Sequence, residues 1–132
     1  MRAAAAVIAI AAAAAGPALA QEAELVLLPS GLEARLLEVI RGPSSAGQVY
    51  RFRFVAEGFA PSEANVDMVQ ADLQHLCDAY ALERLPGMGP QPAQIIISLA
   101  DRPGEFGIAD PAVRQVFEAY SPEVGACIWE MF

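Results

Sequence analysis

The clearest regularity in the chain lies between Val49 and Val55, where Tyr50, Phe52 and Phe54 alternate with Arg51 and Arg53. A period of two puts the rings on one side of an extended backbone and the guanidinium groups on the other. The segment therefore predicts a strand with one buried face. Before it, Ala34 to Ile40 is an apolar run that ends in β-branched residues, and Gly42-Pro43-Ser44-Ser45-Ala46-Gly47 divides the two with loop chemistry. Together they predict an antiparallel hairpin. A shorter apolar run, Glu24 to Leu28, stops at the turn signal Pro29-Ser30-Gly31.

The period changes after Pro61. Ser62 followed by Glu63 reads as a helix start with acid in the first turn. At 100° per residue, Val66, Val69, Leu73, Leu76, Cys77 and Tyr80 fall within an arc of about 100°, the buried stripe of a surface helix. Leu85 to Pro92, with prolines at 86, 90 and 92 and glycines at 87 and 89, predicts a loop. Gln94 to Leu99 contains Ile95-Ile96-Ile97 without alternation, which suits a central strand covered on both faces. Asp101-Arg102-Pro103-Gly104 ends it. Val113 to Tyr120 fits either two helical turns or a strand. The turn-like Ser121 to Gly125 and the partial alternation of Cys127 to Phe132 favour a hairpin here. The sum is an α+β domain: an antiparallel sheet with one main helix packed on one face.

The N-terminus adds a compartment. Arg2 precedes an apolar stretch from Ala3 to Ala15, Gly16-Pro17 breaks it, and Ala18-Leu19-Ala20 supplies small residues where a signal peptidase reads. The run of about 13 residues is shorter than the roughly 20 needed to span a bilayer. Residues 1–20 are thus expected to be a signal peptide, and 21–132 a single small domain, periplasmic or secreted, with no membrane span after cleavage. The chain has no lysine and a net charge of −8; loss of Arg2 with the leader makes it −9. Such an acidic surface disfavours nucleic acid and anionic lipid as partners.

Two cysteines remain after cleavage, Cys77 and Cys127. In an oxidising compartment an even count predicts a disulfide, and the spacing is far from the C-x-x-C of redox catalysts. Cys77 lies on the edge of the helix's buried arc. A bridge then requires the last strand to lie under the C-terminal end of that helix, with Cα atoms about 4.4–6.8 Å apart.

Motifs for catalysis are missing. His75, the sole histidine, falls opposite Val66 on the helix, towards solvent, alongside Asp72 and Asp78; with no second imidazole it predicts no metal site. Asp67, Asp72 and Asp78 are expected on the exposed side, with nothing to divide a pair of them into acid and base. Ser98 has no G-x-S-x-G elbow and no histidine placed to serve it. Gly87-Met88-Gly89 opens no helix and makes no phosphate loop. No catalytic residue and no cofactor is predicted. A terminal Phe132 after Ile128-Trp129-Glu130-Met131 imitates an outer-membrane assembly signal, but one long helix and few alternating strands do not make a barrel.

One constellation carries binding chemistry. Arg51 and Arg53 share a strand face, and Arg35 or Arg41 sits opposite across the predicted hairpin. Grouped guanidinium groups on an acidic protein capture carboxylate or phosphate, so Arg35, Arg51 and Arg53 form a candidate anion site. The alternative is cross-strand pairing with Glu33, Glu38 or Glu57.

The chain also resembles an uncharacterised family of small exported alphaproteobacterial proteins, a domain of unknown function. His75-Leu76-Cys77 with Tyr80-Ala81-Leu82, Pro90 to Leu99 and Asp101-Arg102-Pro103 carry the likeness. Glu105-Phe106-Gly107, Phe117-Glu118-Ala119-Tyr120 and Cys127-Ile128-Trp129-Glu130 continue it. Some members bear an acetolactate synthase label, yet this chain has neither the length nor the diphosphate-metal motif of a thiamine-diphosphate enzyme. The resemblance assigns no functional residue. The expected function is an exported, non-catalytic binding or accessory module for a protein or small-molecule partner. A small periplasmic enzyme with an Asp/Glu/Arg site is the alternative.

Overall fold

The computed structural model describes residues 24–45 and 47–131; the signal peptide expected over residues 1–20, with its expected cleavage point, and the terminal Phe132 lie outside the described residues. The strands are β1 (Leu25–Leu27), β2 (Glu33–Ser44), β3 (Gly47–Val55), β4 (Gln94–Ala100), β5 (Gln115–Glu123) and β6 (Ala126–Trp129), in one sheet ordered as in the sequence. Between β3 and β4 runs a continuous helical stretch. It comprises a 3-10 turn Glu63–Asn65, α1 (Val66–His75), a π segment Leu76–Ala81, α2 (Leu82–Arg84) and a second 3-10 turn Leu85–Gly87. Ser62 caps its start: the Ser62 hydroxyl accepts from Ala64 N–H, and Asn65 Oδ1 accepts from Ser62 N–H.

The sheet is only mostly antiparallel. β3 and β4 pair in parallel, which corrects the wholly antiparallel expectation. The cause is the helix itself: a strand, a helix and a second strand in one sheet return the chain in the same direction, as in any βαβ unit. The last segment resolves to strand, β5 hairpinned to β6, and only Val124 and Gly125 remain as the turn. β2 also runs on through the predicted loop to Ser44, because Gly42, Pro43 and Ser44 stay in register with Val49, Gln48 and Gly47. Pro43 is tolerated there because β1 pairs with β2 only over Glu33 to Arg35, so no donor is needed on that side.

Parallel register aligns Tyr50, Phe52 and Phe54 of β3 with Ile95, Ile97 and Leu99 of β4, and all six are buried. Leu73, Leu76, Cys77 and Tyr80 of the helical stretch belong to the same apolar cluster. The Tyr80 ring meets Phe54 edge-on at 5.2 Å and Phe52 at 6.4 Å. Aromatic pairs of this geometry add to the area they bury.

Cys77 and Cys127 are joined, with Cα atoms 6.1 Å apart. The bridge has company: Asp78 accepts from Cys127 N–H at 2.8 Å, and Gln74 Nε2 donates to Cys127 O at 2.8 Å. At the other end of the sheet, Asp72 accepts from Ser30 N–H at 2.9 Å. Two of the three helix carboxylates expected in solvent, Asp72 and Asp78, are therefore engaged, while Asp67 is exposed as expected. Asp72 is 1% exposed and Asp78 half-buried, because the β1–β2 turn and β6 close on the helix from both flanks. His75 is half-buried rather than open to solvent.

Both half-cystines are buried, so the bond closes a long loop inside the core. Loop-closure bookkeeping assigns it about 2–4 kcal/mol. We expect a Cys77→Ala/Cys127→Ala variant to melt roughly 10 °C or more below the oxidised chain, measured by circular dichroism. Equal melting points would show that Asp78 and Gln74 alone suffice to hold β6.

Candidate functional site

The face of the sheet turned away from Phe52 and Phe54 carries Arg51 and Arg53 on β3, Ile96 and Ser98 on β4, and Phe117 on β5. The connection 101–114 crosses over it. That connection is closed at its neck: Asp101 N–H donates to Arg114 O at 3.0 Å, and Arg114 N–H donates to Asp101 Oδ1 at 3.0 Å. The bond from Arg114 N–H holds the Asp101 carboxyl below its ordinary range, and the Arg102 guanidinium, 3.3 Å away, adds to the effect. At the tip, Ile108 N–H donates to Glu105 O at 3.2 Å, closing a turn with Gly107 at φ 84° in its third position. A type II turn demands glycine there. The turn presents Phe106, whose ring centre lies 5.6 Å from the guanidinium carbons of both Arg51 and Arg53. Under it is a cleft of about 370 Å³ that also takes in Glu105, Ile108 and Phe117.

The two arginines differ in what they have left to offer. Arg53 is 5% exposed; it pairs with Glu38 through Nη1 and donates from Nη2 to Gly104 O at 2.8 Å. The cross-strand pairing foreseen as an alternative is thus present for this residue. Arg51 is half-buried and, among the described residues, makes no hydrogen bond or ion pair; its neighbour is the Phe106 ring. Ser98 is 7% exposed, lines the same cleft, and its hydroxyl has no partner among the described residues.

Arg35 does not join them. It lies on the same sheet face but lines a separate hollow with Glu33, Glu57 and Leu25. Arg41 is on the opposite face, over the Tyr50 ring, donating to Met88 O at 2.7 Å. A β-bulge divides the two: Leu37 has no partner, so Glu38 opposes Arg53 and the alternation of β2 shifts by one residue. Sequence reasoning overlooked Phe106 and gave Ser98 only a nucleophile's test. The signal available for Phe106 was its place before Gly107 in a segment rich in turn residues, where a large ring is exposed unless something draws it down.

A larger cavity, about 660 Å³, lies between the end of the helical stretch and the β5–β6 turn. Asp78, Glu83 and Glu123 rim it, Asp78 already engaged by Cys127, and among the described residues Gln91 is the one side-chain donor along its wall. Near it, burial pushes the Tyr120 phenol well above its ordinary range, and the Glu118 and Asp78 carboxylates add to that. It has volume but little with which to hold a ligand.

Because Asp101 in the folded chain sits below its ordinary value, its hold on Arg114 is complete above the usual carboxylate range and is lost as pH falls through the folded value. We therefore expect amide exchange at Arg114 and the Phe106 ring signals to stay constant from neutral pH down through the usual carboxylate range, and to show an opened connection only below it. Asp101→Asn should weaken the neck at neutral pH and abolish that transition. A wild-type transition at ordinary carboxylate values would show that the neck does not depend on this bond.

No curated protein and no solved structure matches the chain. Its membership is shown by a family model that matches residues 6–132, nearly its whole length. The chain belongs to the Family of unknown function (DUF6497).

Proposed function

We propose that the chain is an exported, non-catalytic binding module and that its ligand site is the cleft beneath Phe106. The observation that carries the reading is Arg51, a cation half-withdrawn from water that, among the described residues, forms no ion pair, not even with Glu105, which lines the same cleft. Removing a charge from water is costly unless a partner compensates, and an anionic ligand supplies one. A small concave site with few polar groups among apolar walls is also the usual form of a ligand pocket.

Export is supported by the leader pattern of residues 1–20 and by the Cys77–Cys127 bridge, a bond at home in oxidising compartments. The non-catalytic reading is supported by where the acids are used. Asp72 and Asp78 hold main-chain N–H groups of Ser30 and Cys127, and Glu38 is taken by Arg53.

Native mass spectrometry of the chain isolated from its own cells tests this. The wild type should begin at Gln21 and carry a small-molecule adduct, released chemically unchanged. Arg51→Gln should fold and lose the adduct. A bare wild type, or an adduct retained by the variant, would remove the cleft from consideration.

A further inference from the structure

We infer that the ligand of this cleft is a small monocarboxylate with an apolar body, gripped by Arg51 and Ser98; the inference rests on the cleft being the binding site. The head group follows from what remains unsatisfied. Arg53 is spent on Glu38 and Gly104, so the cleft offers the Arg51 guanidinium and the hydroxyl of Ser98, a buried residue whose oxygen still reaches the cleft, neither group hydrogen-bonded among the described residues. A planar carboxylate suits a guanidinium fork, one or both oxygens accepting from its N–H groups. The Ser98 hydroxyl is placed to donate to such a head. Glu105 on the rim repels a second negative charge, which sets a monoanion above a dicarboxylate or a phosphate.

The body follows from the walls. Ile96, Ile108 and Phe117 line the cleft, and Ile108 is 62% and Phe117 63% exposed, although both are large and apolar. Apolar side chains gathered and left open beside a polar anchor mark a binding surface more than a packing accident. Size follows from volume. At about 30 Å³ for a water-sized group, 370 Å³ holds about a dozen heavy atoms, the scale of an aryl or medium-length alkyl acid.

The test is calorimetric titration of the mature, oxidised chain with 4-phenylbutyrate, its neutral analogue 4-phenyl-1-butanol, butyrate and inorganic phosphate, with amide shifts recorded at Ser98, Phe106 and Ile108. We expect 4-phenylbutyrate to bind at those positions, and each of the other three to bind at least about tenfold more weakly, the size of one charge-assisted bond or its apolar equivalent. Arg51→Gln should lose about tenfold for the acid and little for the alcohol; Ser98→Ala should lose severalfold. Equal binding of acid and alcohol overturns the carboxylate while leaving the cleft as a site. Equal binding of butyrate or phosphate overturns the apolar body in the same way. No shift at these residues with any probe overturns the cleft itself, and the inference with it. Because the probes are compared on the unaltered protein, misfolding of a variant does not blunt the test.

Discussion

A guanidinium group buried as deeply as a core side chain sets terms for everything around it, and Arg53 is such a group. Its charge needs a carboxylate, and an unbroken β2 would turn Glu38 to the aromatic side and bring Leu37 opposite Arg53. The bulge at Leu37 turns Glu38 to the right face and, as a by-product, sends Arg41 to the other one. The remaining donors need a carbonyl, which Gly104 supplies, and the flat face of the cation takes the Phe106 ring. The connection 101–114 is thereby drawn onto the sheet instead of looping into solvent. Loss of Glu38 would leave the buried Arg53 charge uncompensated, a far greater penalty than loss of an ordinary surface pair.

β3 consequently has two covers of opposite character. Its rings meet Tyr80 and the isoleucines of β4, a dry contact governed by area and fit. Its guanidinium groups meet a carboxylate, a carbonyl and one ring, a contact governed by charge. The dry side is further pinned by the bridge from Cys77 to Cys127 and the bonds of Gln74 and Asp78 to the same residue. A rigid dry side lets the charged side hold a partly open cleft without loss of register.

What could be read from the chain divides along the same line. β3, the isoleucine strand β4, the helix and the final hairpin are written in local periodicity, and the disulfide in a count of two. The parallel pairing was implicit in a helix lying between two strands, but periodicity carries no direction. The bulge has no local signature, since Leu37 is unremarkable except as the residue that must be skipped for Glu38 to reach Arg53. Asp72 and Asp78 lie on the flanks of the helix, where an angle cannot foretell that the ends of the sheet close over them. At the site, alternation alone placed Arg51 beside Arg53. It could not show that one would be spent and the other free, because that depends on Glu38 and Gly104, far away in sequence.

The edges of the sheet bear on how the molecule behaves among copies of itself. An unpaired strand edge is a template for another chain, and long flat edges invite aggregation. Here β1 is three residues long and β6 four, and beyond Arg35, where β1 stops, the outer side of β2 is an edge as well, interrupted by the bulge at Leu37 and by Pro43. Along β6, both main-chain groups of Cys127 are already taken by Asp78 and Gln74. An incoming strand would have to displace side chains held by a covalently anchored helix to gain a ladder only a few bonds long. The same residues that fasten the last strand to the core thus also close the β6 edge of the sheet to strand addition.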